Sequence, residues 1–215
     1  MQLNKYIDHT LLKADASEQE INKLCEEAKQ YDFMSVCVNP YYIPLCKQLL
    51  TGTNVKVCTV IGFPLGQMSS KAKIAEAIDA CDMGADEVDM VLNIAALKAG
   101  DLNYVTNEIK AIHEAVKAKD AILKVIIETC LLSENNKIDA CKCVSLAGAE
   151  FIKTSTGFST AGATVADVAL MKKYVAANVK IKAAGGIRNK QDALDMINAG
   201  ADRLGTSKGV MLVKD

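Results

Sequence analysis

In the run Phe151-Ile152-Lys153-Thr154-Ser155-Thr156-Gly157 a lysine stands inside a stretch otherwise suited to a buried β-strand. Lysine is seldom fully buried, because an apolar interior does not replace the hydration of its ammonium. Lys182 in "KIKAAGGIR" and Asp89 in "EVDMV" stand in the same situation. Two lysines and a carboxylate on strand interiors point to amine chemistry. A free lysine has a pKa of about 10.4, so roughly one in 2500 is a neutral nucleophile at pH 7. A second ammonium about 6 Å away, at an effective dielectric near 20, opposes the charged form by roughly 2.8 kcal/mol, or about two pKa units. Desolvation acts in the same direction. An amine so placed forms Schiff bases. The expected roles are Lys153 as nucleophile, Lys182 as the neighbour that keeps it neutral, and Asp89 as proton carrier.

Alternation along a strand sends residues i and i+2 to one face. It joins Asp8 with Thr10, Cys37 with Asn39, Glu87 with Asp89, Lys124 with Glu128, Lys153 with Ser155, and Lys180 with Lys182. Asp8 and Thr10 either orient a water or hydroxyl or serve as turn and cap residues. Cys37 is a candidate substrate-side residue or simple packing, since no histidine is evidently placed to act as its base. Lys124 and Glu128 read equally as a structural ion pair or as part of the chemistry, and Lys180 as solvated. The glycine-rich stretches Ala183–Arg188 and Leu204–Gly209 offer an anion site. There Gly185, Gly186 and Gly205 would admit backbone N–H groups and Ser207 would add a hydroxyl. The plainer alternative is turn glycines. Lys208 either reaches solvent or serves as a cation at that site.

These groups meet only if the elements between them bring them together. Candidate strands are Tyr6–Leu12, Phe33–Asn39, Val55–Phe63, Glu87–Asn93, Leu123–Thr129, Glu150–Thr156, Val179–Ala184 and Asp202–Ser207, rich in Val, Ile, Thr and Cys. Helix patterns lie between them. "SEQEINKLCEEAKQY" opens with Ser17 and Glu20 at capping-box spacing and puts Ile21, Leu24, Cys25 and Ala28 on one face. "MGADEV", "LAGAEF" and "NAGADRL" recur where a helix stops at glycine and a strand begins. Eight strands, seven intervening helices and a short final one make a single-domain (β/α)8 barrel over residues 1–215. The carboxyl ends of its strands form the mouth where barrel active sites lie. An open doubly wound sheet is the alternative, but no G-x-G-x-x-G follows an early strand.

Composition narrows the function classes. The 215 residues are 50% hydrophobic, with 25 basic and 26 acidic side chains and a formal net charge of -1, without the basic excess of a nucleic-acid surface. No apolar run approaches the roughly 20 residues of a membrane span, and the first residues lack signal-peptide order. No membrane partner is expected, and the cytosol is the expected compartment. The eight cysteines form no C-x-x-C and the two histidines no H-x-x-x-H, so neither a metal site nor a cofactor is expected.

The stretches "YIDHTLL", "VCVNP", "TVIGFPLG", "GADEVDMVLN", "LKVIIET", "FIKTSTGFST" and "KAAGGIR", in this order, resemble the deoxyribose-phosphate aldolase family over nearly the whole chain. The resemblance implies a metal-free class I aldolase. Such an enzyme cleaves 2-deoxy-D-ribose 5-phosphate, a small sugar phosphate, to glyceraldehyde 3-phosphate and acetaldehyde. It puts the Schiff-base lysine on Lys153, the second lysine on Lys182 and the aspartate on Asp89, and it implies a cytosolic homodimer. Departures from the family pattern fall at Ala14, Ala95, Ala161 and Lys208; the last changes a residue next to the expected phosphate contacts. A transaldolase-like Schiff-base barrel and a sugar-phosphate-binding barrel without catalysis are the rival readings.

Overall fold

The computed structural model describes residues 2–214, so the expected domain of residues 1–215 is described but for its two terminal residues. Eight parallel strands close in sequence order into a barrel. They are β1 (Ile7–Leu11), β2 (Ser35–Val38), β3 (Lys56–Ile61), β4 (Glu87–Val91), β5 (Ile122–Ile126), β6 (Phe151–Lys153), β7 (Lys180–Ala184) and β8 (Arg203–Thr206). The closing pair, β1 with β8, sets Asp8 opposite Gly205. Among the described residues there are nine α-helices: α1 (Glu18–Gln30), α2 (Ile43–Leu49), α3 (Ser70–Asp82), α4 (Ile94–Lys98), α5 (Leu102–Lys117), α6 (Glu134–Ala147), α7 (Val165–Tyr174), α8 (Lys190–Asn198) and α9 (Gly209–Val213). The expected count is exceeded by one, because the β4–β5 crossover carries both α4 and α5.

Local chemistry explains the boundaries. The Ser17 side chain and Glu20 form a reciprocal capping box that starts α1. Ser133 with Asn136 and Asn189 with Asp192 do the same for α6 and α8. Gly148 stops α6 at φ 82°, a left-handed geometry that glycine adopts without steric penalty.

Strand alternation builds two interiors of opposite character. Val36, Val88, Leu123, Ile152, Ile181 and Leu204 face outward and join one apolar cluster with helix residues such as Ile21, Ala77, Ile109, Val144 and Val168. The inward positions carry the buried charges, beside a small apolar cluster of Leu12, Cys37, Cys58 and Val60. Among the described residues no helix is long and apolar enough to cross a membrane.

Several strands end sooner than expected. β6 stops at Lys153, and Thr154, Ser155 and Thr156 continue buried but outside the ladder. β5 stops at Ile126, and Glu128 adopts a left-handed φ of 53°. That turn takes Glu128 out of phase with Lys124, so the expected ion pair between them does not form. Glu128 instead accepts from the Thr156 amide and hydroxyl, fastening the β5 loop to the β6 loop. Lys124 finds its partners inside the barrel.

Candidate active site

Asp89, third in β4, points to the barrel axis and accepts from three ammonium groups. Its Oδ2 lies 2.8 Å from Lys153 Nζ and 2.7 Å from Lys182 Nζ, and its Oδ1 lies 2.8 Å from Lys124 Nζ. Lys182 Nζ is also 2.6 Å from Asp8 Oδ2, and Lys124 Nζ is 2.6 Å from Glu87 Oε2. Asp8 Oδ1 accepts in turn from Arg203 at 2.6 Å and from the Ser35 hydroxyl at 2.7 Å. Arg203 completes the cluster at 3.1 Å from Glu87 Oε2. The neighbour of Lys153 in direct contact is therefore a carboxylate. The ammonium of Lys182 contacts that same oxygen.

The charges are held in place by each other. Burial alone would push the Asp8 and Asp89 carboxyls up, but the surrounding lysines, with Arg203 for Asp8, reverse this and hold both far below the usual carboxylate range. Burial alone would push Lys182 and Lys124 down, but Asp8 and Asp89 for the first, and Asp89 and Glu87 for the second, raise both above the ordinary lysine value. Asp89 is consequently held as a carboxylate.

Above this cluster a cavity of about 440 Å³ opens at the carboxyl ends of the strands. Of the residues singled out in the sequence, Thr10, Lys153, Gly185, Gly186, Gly205 and Ser207 line it. Lys153 is the one cation of the buried cluster that does so. Asp8 and Cys37 do not. The expected contact of Asp8 with substrate is replaced by its ion pairs with Lys182 and Arg203 beneath the cavity floor. Cys37 is fully buried, opposite Cys58 on the neighbouring strand. Thr10 donates to the Asp8 carbonyl at 2.8 Å at the cavity edge.

The glycines divide by purpose. Gly185 and Gly186 both have φ of 81°, the turn that exposes the backbone of the loop after β7 to the cavity. Gly205 has a different reason to be glycine: a Cβ there would stand 3.1 Å from Lys182 Cε, so its absence makes room for the lysine side chain. Lys208 is exposed at the cavity rim, its amide donating to Thr206 Oγ1 at 3.0 Å.

A family model described as "DeoC/LacD family aldolase" matches residues 3–213. The chain belongs to this aldolase family. It is a carbon–carbon lyase, 59% identical over 213 residues to a deoxyribose-phosphate aldolase of Brevibacillus brevis, covering 99% of this chain and 96% of the relative. A deoxyribose-phosphate aldolase of Caldicellulosiruptor saccharolyticus is 55% identical over 215 residues, covering 100% and 98%. The crystal structure of a putative deoxyribose-phosphate aldolase from Coccidioides immitis superposes with a TM-score of 0.93 at 44% identity, over 97% of this chain and 83% of that one. A tetrameric deoxyribose phosphate aldolase from Aeropyrum pernix superposes with a TM-score of 0.91 at 34% identity, over 98% and 88%.

Two features of this aldolase escaped the sequence reading. Arg203 is in phase with Gly205 on one face of β8, and a cation at an inward position was the available signal. Cys58 is a second thiol inside the barrel, 3.2 Å from Asp89 Oδ1. The donor atoms of Cys37, Cys58 and Asp89 lie within 4.8 Å of one another, a spacing that could hold an ion. Both Asp89 oxygens already accept from ammonium groups, so a divalent cation entering there would meet positive charge.

Proposed function

We propose that this aldolase reversibly cleaves 2-deoxy-D-ribose 5-phosphate to D-glyceraldehyde 3-phosphate and acetaldehyde, through a Schiff base on Lys153. The observation that carries the reading is the position of Lys153, 3% exposed, with its Nζ on the Asp89 carboxylate and its side chain on the cavity wall. The neutral Nζ adds to the C1 aldehyde of the open-chain sugar, and the carbonyl oxygen takes a proton to give a carbinolamine. Loss of that oxygen as water, with Asp89 and Lys182 passing the proton, leaves an iminium. The C3 hydroxyl then loses its proton as the C2–C3 bond breaks, and the bonding pair moves toward the iminium nitrogen to form an enamine. Glyceraldehyde 3-phosphate departs; protonation at C2 and hydrolysis release acetaldehyde and the free amine.

The phosphate is assigned to the loops Gly185–Arg188 and Gly205–Gly209, which border the same cavity as Lys153. Charge-assisted hydrogen bonds to an anion are stronger than neutral ones, so unphosphorylated 2-deoxyribose should be a much poorer substrate. Lys208→Ser tests the rim. If Lys208 binds phosphate, KM for the sugar phosphate rises severalfold at low ionic strength and less at high, because salt screens exposed charge. The unphosphorylated sugar then shows no change. Equal effects on both sugars would mean that Lys208 shapes the loop, and no effect would leave it in solvent. The enzyme is proposed to work in the cytosol as a homodimer. The tetrameric Aeropyrum relative supplies the alternative, and sedimentation of the purified chain separates the two.

A further inference from the structure

Every strand contributes a titratable group to the inner face: Asp8 from β1, Cys37 from β2, Cys58 from β3, Glu87 and Asp89 from β4, Lys124 from β5, Lys153 from β6, Lys182 from β7 and Arg203 from β8. All are buried. The Cys58 thiol donates to Asp89 Oδ1 at 3.2 Å, and both thiols enter the count as neutral. Four cations (Lys124, Lys153, Lys182, Arg203) then face three carboxylates (Asp8, Glu87, Asp89) in one connected set of ion pairs. Fully ionised, the set carries a net charge of +1; with Lys153 as the free amine it carries none. A buried excess charge is opposed by lost hydration.

Three of the four cations cannot readily supply the balance. A guanidinium stays charged at any working pH. Lys182 and Lys124 each bridge two carboxylates, at 2.6 and 2.7 Å for the first and at 2.6 and 2.8 Å for the second. Lys153 has a single carboxylate contact and shares that oxygen with Lys182. We propose that Arg203 and Glu87 are positioning residues that set the charge balance of the barrel interior and thereby keep Lys153 available as the free amine. Both begin their strands, at the end of the barrel away from the mouth, and neither lines the cavity. Their influence therefore runs through Asp8, Lys182, Lys124 and Asp89. The proposal rests on the reading of Lys153 as the imine-forming residue.

The test is the pH profile of borohydride trapping with acetaldehyde, read as the fraction of Lys153 carrying the reduced two-carbon adduct. Arg203→Met leaves three cations on three carboxylates, a set that is neutral with Lys153 protonated. The profile should move up by about one pH unit. Glu87→Gln leaves four cations on two carboxylates and should move it down by a similar amount. The double variant restores an excess of one and should return the profile to that of the unmodified enzyme, as should Arg203→Lys, which keeps the charge. A purely structural role would lower stability in both single variants without opposite displacements. Displacements in the same direction, no displacement in folded single variants, or a double variant that stays displaced would each overturn the proposal. If circular dichroism shows a single variant unfolded, the double variant and the other single variant decide by the same criteria. No adduct on Lys153 in the unmodified enzyme would overturn the Schiff-base reading itself, and this proposal with it.

Discussion

Lys153→Arg abolishes both turnover and the trapped adduct, with activity falling at least roughly a thousandfold. The substitution keeps a cation where Lys153 Nζ lies 2.8 Å from the Asp89 carboxylate, so the barrel interior should retain its ion pairs and the chain should fold. Guanidinium is charged at any working pH and has no free pair to add to a carbonyl. The measurement is retro-aldol turnover of 2-deoxyribose 5-phosphate together with mass spectrometry after borohydride reduction with acetaldehyde. A variant that still turns over, or an adduct mapping to Lys182 or Lys124 in the unmodified enzyme, would sink the assignment of Lys153.

Asp89→Asn should remove turnover and also a large part of the stability. The carboxylate anchors three buried ammonium groups, and removing one partner from such a set costs about 3–5 kcal/mol. For a chain of this size that is a fall in Tm of roughly 6–20 °C. The pH dependence has a definite sign. Asp8 and Asp89 are depressed in the folded state, so their contribution is complete above the ordinary carboxylate value of about 3.9 and drains as pH falls below it. Lys124 and Lys182 are raised, so theirs is complete below about 10.4 and is lost as pH rises through the elevated values. The unmodified enzyme should show a stability plateau between these limits, and the Asn variant a shallower acid slope. An Asn variant that melts with the unmodified protein at neutral pH would show that the ion pairs contribute little.

The barrel was legible because each strand alternates and three of the helix-to-strand junctions repeat one glycine pattern. Strand ends were not, since loop residues here remain buried after the regular ladder stops. Thr154 turns its hydroxyl to the Ala184 carbonyl at 3.2 Å, and Thr156 binds Glu128, so both look like strand interior in composition. Five residues of α4 before Gly100 are too short a span for periodicity to register. The convergence of Lys153, Lys182 and Asp89 followed from the rarity of charge on a strand interior. The same test would have found Arg203. What it could not yield was partnership, because which carboxylate meets which cation depends on barrel shear and side-chain reach. The pairing of Asp8 with Lys182 and Arg203 is of this kind.

The inward charges are sorted along the chain by sign. Every carboxylate of the cluster comes from β1 to β4 and every cation from β5 to β8. Split between β4 and β5, the barrel becomes two half-barrels, one contributing only carboxylates to the buried ion-pair set and the other only cations. Neither half can desolvate its inner face alone, since each would strand like charges several kcal/mol above their solvated state. Each is the natural counterion of the other. The contact between Asp8 and Arg203, 195 residues apart, can form only when the last strand arrives, so the set of ion pairs is complete only in the closed ring. Charge sorting thus gives this fold a reason to assemble all at once: partly closed forms keep their inner faces wet, and only the complete ring can dry them.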